Sequence, residues 1–399
     1  MRAFFLLLFT CLFFSCGKAV YHLPLKANSK PKKLLVFIDG TGNSESSNTN
    51  IAKLYNLVTL QENKNIQAVY IEGVGTKGKV IGLATGWGIG EDVRIAYQFL
   101  VDNYKKENKD EIYIFGFSRG AYAARILAGF VDVAGVFDLS KLDKKKKKET
   151  IKKLYRTYKE KNASADERRE EIVKKFKNFK SQTDVNIEFM GLWDTVEALG
   201  LPNSKEDYKR PNTRYNDQLC NVKKAAHALS LNDQRAYLFT PILLTEKHLF
   251  EKCKKPIDID KKVEEVWFFG AHSDVGGGYK NTFIPNYSLN WMIKKIDRFC
   301  ILKKETKTYS DYESESHNGR YSIMKVISRN RSRNLKKYSD SSTYNNGKLK
   351  IHTSVLEKLK NGNLKDYEKN LYNNFSDCFD GNDLNGYYKI SDDCFDTVN

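Results

Sequence analysis

Short, nearly continuous apolar runs alternate, over the first three hundred residues, with longer stretches whose apolar side chains recur at helical spacing. Residues 32–39 (Lys-Lys-Leu-Leu-Val-Phe-Ile-Asp) lead into Gly40-Thr41-Gly42, as a strand buried on both faces leads into a tight turn. Further strands are expected at Ile66–Ile71, Glu111–Phe117, Val185–Trp193 and Val263–Phe269. Helices are expected at Ile51–Leu60, Glu91–Tyr104, Ala121–Phe130, Val222–Leu231 and Tyr287–Phe299. Such alternation predicts an α/β fold, a mostly parallel sheet with helices on both faces.

Two regions depart from this rhythm. Between Lys141 and Lys180 there are 17 Lys/Arg against 7 Asp/Glu, so this stretch supplies much of the net charge of +18. Leu142, Ile151, Leu154, Tyr155, Tyr158, Ile172 and Phe176 keep helical spacing there, which predicts a basic helical insertion at about 138–183. It reads either as a solvated cap or as a surface that meets anionic phospholipid headgroups. No nucleic-acid-binding module is recognisable. After Cys300 the chain turns polar and rich in Tyr, Asn, Ser and Lys, with a short helical stretch near Val355–Leu359. Residues 301–399 are expected to form an extension whose job cannot be read from the residues.

The N-terminus predicts export. Arg2 precedes an apolar run, Ala3–Phe14, that is too short to span a bilayer as a helix. The exit through Ser15-Cys16-Gly17 resembles a bacterial lipoprotein processing site, with residues 1–16 as the signal and Cys16 as the lipidated residue. A plain cleaved signal is the competing reading. Beyond the signal, Cys378 and Cys394 sit in two similar strings and either pair or remain free thiols. No CxxC pair and no Cys/His spacing suits zinc. Composition adds one exclusion: with 13% aromatic residues the chain is no disordered polymer.

Gly116-Phe117-Ser118-Arg119-Gly120 fits G-x-S-x-G between an apolar strand and a helix. At that elbow a serine hydroxyl stands exposed above the sheet, and small neighbours are needed because strand and helix nearly touch. A serine needs a base, and the base needs an orienting acid. In this arrangement the acid and then the histidine follow the serine along the chain. Of five later histidines, His272 alone lies just past a strong strand on a Gly-rich loop, and Asp194 ends the strand before it. Asp274 competes as the acid, while His227 is expected to pack on its helix. The Arg119 N–H is one expected oxyanion donor, and the Gly40 or Thr41 N–H is the second. No cofactor is called for. Two decoys fail: Phe37 occupies the place of the nucleophilic Asp in a D-x-D-G-T motif. Gly73–Lys79 spells G-x-x-x-x-G-K but lacks the hydroxyl residue of a P-loop.

Six strings occur in a familiar order: residues 37–42, 73–76, 116–125, Gly-Leu-Trp-Asp-Thr-Val (191–196), 227–235 and Gly-Ala-His-Ser-Asp-Val-Gly-Gly-Gly-Tyr (270–279). Together they resemble the α/β-hydrolase domain family called domain of unknown function 2235, which includes the first family of type VI secretion phospholipase effectors. The resemblance covers about residues 32–300. It implies that Ser118, Asp194 and His272 form a triad, and that the substrate is a glycerophospholipid acyl ester. Asn232-Asp233 stands where the family more often carries Asp-Glu, and the insertion and extension have no recognised counterpart. A soluble-substrate esterase or thioesterase, or a non-catalytic surface-anchored binding protein, are the alternatives.

Overall fold

The computed structural model of the chain describes residues 19–24, 31–61, 63–73, 88–160, 163–196, 218–236, 239–245, 247–280, 283–303, 306–311, 314, 316–318, 331–341, 348–360, 364–380, 389–390 and 394–399. The expected signal and Cys16 lie outside them, as does most of Gly73–Lys79. Nine strands form one sheet: β1 (Ala19–His22), β2 (Lys33–Ile38), β3 (Ile66–Ile71), β4 (Glu111–Phe117), β5 (Phe189–Trp193), β6 (Ala225–Ser230), β7 (Val263–Phe268), β8 (Leu349–His352) and β9 (Phe395–Val398). Their spatial order is β1-β3-β2-β4-β5-β6-β7-β8-β9, and only β1 runs antiparallel to its neighbour.

Helices cover both faces because successive strand residues point to opposite sides. On β2, Leu34, Val36 and Ile38 face α2 (Ile89–Asn103) and α3 (Arg119–Ala134), whereas Leu35 and Phe37 face α1 (Asn50–Thr59) and a later helix, α7 (Pro285–Ile296). The basic insertion joins the first of these layers. It forms α4 (Lys144–Tyr158), capped by Asp143, and α5 (Ala165–Lys175), opened by a Ser164/Glu167 capping box. A two-residue antiparallel pair, Val136–Phe137 with Ser181–Gln182, closes its base. Ile151, Leu154, Tyr155, Tyr158 and Ile172 are buried in the main core, where Phe130 packs against both tyrosines. Four of the five lysines at 144–148 are exposed.

One expected element changes. Val222–Leu231 is no helix: Ala225–Ser230 is a strand paired with β5 on one side and β7 on the other. All six residues are buried, so the segment carries no alternation, and its apolar positions also happen to suit a helical period. The region after Cys300 extends the same layers. It adds β8 and β9 to the same sheet and packs α8 (Leu335–Ser341) and α9 (Thr353–Lys360) over Leu229, Leu231 and Trp267. Disulfides join Cys378 to Cys394 and, unforeseen, Cys220 to Cys253. Among the described residues no helix is long and apolar enough to cross a membrane.

Candidate active site

The elbow is built by close approach. Ser118 sits between β4 and α3 at φ 57°, ψ −123°, a backbone state that L-residues rarely adopt. A Cβ on Gly120 would lie 2.2 Å from the Ile38 carbonyl oxygen, and one on Gly116 would lie 2.5 Å from the Ala121 Cα. Only glycine lets helix and strand meet there. The Ser118 N–H donates to the Trp193 carbonyl at 2.9 Å, which ties the elbow to the end of β5.

His272 opens a one-turn helix, α6 (His272–Gly276), just past β7. Its Nε2 lies 2.8 Å from Ser118 Oγ and its Nδ1 lies 2.6 Å from Asp194 Oδ2. The rings of Phe117 and Phe239 pack against the imidazole, with centroids at 4.7 and 4.6 Å. Burial lowers the proton affinity of His272 more than Asp194 and Asp233 raise it. Asp194 follows β5 at φ 38° and is fully buried. Burial alone would raise its pKa, but the Arg333 guanidinium and His272 hold it down at about 2. The arrangement can pass a proton from a serine hydroxyl to an imidazole whose far nitrogen is held by a carboxylate.

Several groups around this chain of contacts were not assigned from the sequence. Arg333, from the extension, donates to both oxygens of Asp194 (Nη1–Oδ1 2.7 Å, Nη2–Oδ2 2.8 Å). Nothing in its polar surroundings marks it, because a salt bridge across 139 residues leaves no local pattern. Asp233 accepts the His272 N–H at 3.1 Å and holds Arg235 through its side-chain nitrogens. Asp274, the competing acid, does not bond to the imidazole of His272. It accepts from the Ala271 N–H and from His317, and so braces the loop. His227 lies on β6 rather than on a helix. Its Nδ1 is 2.8 Å from Glu265 Oε2, and its Nε2 meets the Thr195 N–H at 3.1 Å, which props the residue next to Asp194.

The loop after β2 passes over the serine, since a Cβ on Gly40 would come within 3.1 Å of Ser118 Cβ. Asp39 organises this loop by accepting from the Gly40 N–H at 2.6 Å, from Tyr70 Oη at 2.6 Å and from Thr49. Burial raises the Asp39 pKa to about 6 against the pull of those bonds. Thr41 Oγ1 is buried without a hydrogen-bond partner among the described residues. No group of residues that could hold a metal ion occurs among the described ones.

An uncharacterized protein of Saccharomyces cerevisiae is 27% identical over 266 residues, which cover 58% of this chain and 37% of the yeast protein. An uncharacterized protein from Pseudomonas aeruginosa superposes with a TM-score of 0.35 at 18% identity, covering 66% of this chain and 45% of that one. The Tle1 effector bound to the VgrG spike gives a TM-score of 0.33 at 19% identity, with 63% and 51% covered. A thermophilic esterase, Est2 of Thermogutta terrifontis, gives 0.39 at 14%, with 73% and 90% covered. The chain thus spans well under two thirds of the length of the yeast and Pseudomonas proteins. Over residues 32–295 it matches the model of the type VI secretion system phospholipase effector Tle1-like catalytic domain, and it belongs to that family.

Proposed function

We propose that the protein is a serine hydrolase that cleaves acyl ester bonds of glycerophospholipids. The observation that carries this reading is the run of contacts from Ser118 Oγ to His272 Nε2 and from His272 Nδ1 to Asp194. Ser118 attacks the acyl carbonyl carbon while His272 Nε2 takes the hydroxyl proton, and Asp194 holds the imidazolium that results. The Arg119 N–H, directly after the nucleophile, is one oxyanion donor. The Gly40 N–H would have to release Asp39 to act as the second, so the Thr41 N–H is the stronger candidate on that loop. The tetrahedral intermediate collapses as His272 returns the proton to the leaving alcohol. Water then repeats the sequence on the acyl-serine and frees the fatty acid. The lowered pKa of His272 keeps it an unprotonated base at neutral pH.

Export is part of the same proposal. Residues 1–16 act as a signal and Cys16 carries the lipid, which would hold the enzyme in a bacterial envelope. Two disulfides fit an oxidising compartment. The exposed lysines of α4 supply electrostatic attraction to anionic lipid. One observation favours the second reading, an esterase on soluble substrates: the apolar stripe of the insertion is buried in the core and offers no surface to lipid tails. The test is fluorophosphonate labelling of the mature protein, wild type beside Ser118→Ala, followed by fatty-acid release from phospholipid vesicles and hydrolysis of a short-chain ester. Labelling at Ser118 with release from vesicles is expected. Labelling with turnover of the soluble ester alone selects the second reading, and labelling that survives Ser118→Ala refutes both.

A further inference from the structure

The carboxylate of Asp194 is saturated: Oδ2 accepts from His272 Nδ1 and Arg333 Nη2, and Oδ1 accepts from the Ser230 N–H and Arg333 Nη1. Both partners of the ion pair are fully buried. Two buried charges usually add little net stability, and an apolar side chain of similar volume would dock the extension at least as well. A guanidinium is instead suited to one task, which is to fix both oxygens of a carboxylate in a single plane.

The extension holds the guanidinium rigidly. Arg333 also donates to the carbonyls of Ser230 and Phe239. Its own carbonyl accepts from Asn370 Nδ2, which reaches the Leu231 carbonyl as well. Asn374 Oδ1 accepts from the Leu335 N–H at the start of α8, and Tyr338 packs on Trp267. The family match ends at residue 295, so Arg333, Leu335, Tyr338, Asn370 and Asn374 all lie beyond it.

We infer that Arg333 is a positioning residue of the hydrolytic site, one that acts through Asp194 to orient His272, so that the extension completes the site. This rests on the triad reading proposed above. The charges acting on His272 are Asp194 from the loop after β5 and Asp233 and Arg235 from the loop after β6; Arg333, from the extension, bears on both carboxylates. Asp274, on the same short helix, is committed to Ala271 and His317. Two carboxylates and one guanidinium group therefore act on the imidazole directly, and Arg333, paired with both oxygens of Asp194, offsets part of the hold that Asp194 has on the imidazolium.

Removing Arg333 then has two separable effects. Loss of the fork lets the carboxylate turn, which lowers the plateau of kcat about 10- to 100-fold. Loss of the charge strengthens the imidazolium, which moves the acid limb of kcat/KM up by about one pH unit. The experiment compares wild type, Arg333→Met, Arg333→Lys and Ser118→Ala as full mature chains on a soluble ester, across pH, with folding checked by near-UV circular dichroism. Arg333→Met is expected to show both effects. Arg333→Lys keeps the charge without the fork, so it should lose plateau rate while its acid limb stays near that of wild type. A folded Arg333→Met with wild-type plateau and acid limb overturns the inference. If Arg333→Met does not fold, the lysine variant decides, and an unchanged plateau there overturns the inference. Should wild type lack turnover, or Ser118→Ala retain it, the triad reading itself has failed; normal Arg333 variants beside an inactive Ser118→Ala sink only the inference.

Discussion

The basic insertion and the C-terminal extension are both additions to the sheet, and they differ in opposite ways from what their sequences suggest. The insertion announces itself through charge and spacing, yet it ends as one more helical layer, with its apolar stripe against Phe130 and its lysines in solvent. The extension carries almost no pattern, yet Arg333 enters the centre of the molecule and grips Asp194. A strong local signal marks how a segment meets water. It does not mark how near the segment comes to the chemistry.

The largest expected effect sets the scale for both regions. Ser118→Ala or His272→Ala should each lower ester turnover by about 10⁴- to 10⁶-fold, and the double variant should lose little more, because the pair acts as a unit. Steady-state kinetics on the purified protein check this, and additive losses would break the unit.

Next comes the hold of the extension on the sheet. Asp194→Asn leaves the Arg333 guanidinium buried without its paired carboxylate, so it should cost about 3–5 kcal/mol of stability as well as turnover. Adding Arg333→Met should restore much of the stability and none of the activity, as urea unfolding beside rate measurements would show. If Asp194→Asn unfolds at the wild-type midpoint, the ion pair is not what joins the two regions. The same carboxylate sets a pH limit. Its folded pKa of about 2 lies below the ordinary carboxylate value, so its stabilisation is complete above about pH 4 and is lost as pH falls through 2. Urea midpoints taken between pH 5 and 2 should fall more steeply for wild type than for the double variant.

The Cys378–Cys394 bridge spans 16 residues and ties β9 to the rest of the extension. Replacing both cysteines by Ser should cost about 3 kcal/mol, and it should lower turnover if the extension completes the site. Unaltered kinetics in a visibly destabilised protein would separate the extension's packing from its reach into the site. The smallest effect belongs to the insertion. Changing Lys144–Lys148 to Gln should leave stability within about 0.5 kcal/mol, since most of those side chains are exposed. Turnover of a soluble ester should not change. Binding to anionic vesicles should weaken at low salt and converge with wild type at high salt, where a Debye length of about 3 Å at 1 M screens the lysines. Equal co-sedimentation at low salt would make the lysines a solvated face only.

Local chemistry made much of this protein legible in its residues. The strands of the first three hundred residues are apolar runs because a parallel sheet covered on both faces admits little else, and β3 and β4 fall on their expected residues. The G-x-S-x-G elbow demands small residues within a few positions of the serine, so it is written compactly. Topology then singles out Asp194 and His272, which stand just past the C-terminal ends of two parallel strands of the sheet. What the residues could not decide depends on contacts between distant segments. Ala225–Ser230 is a strand because β5 and β7 leave a gap that it fills, although its composition suits a helix equally well. His227 answers to Glu265, Asp274 to His317, and Asp194 to Arg333, pairings that span 38, 43 and 139 residues. Burial makes each of these charges costly unless its partner arrives, and only the folded chain brings the partner.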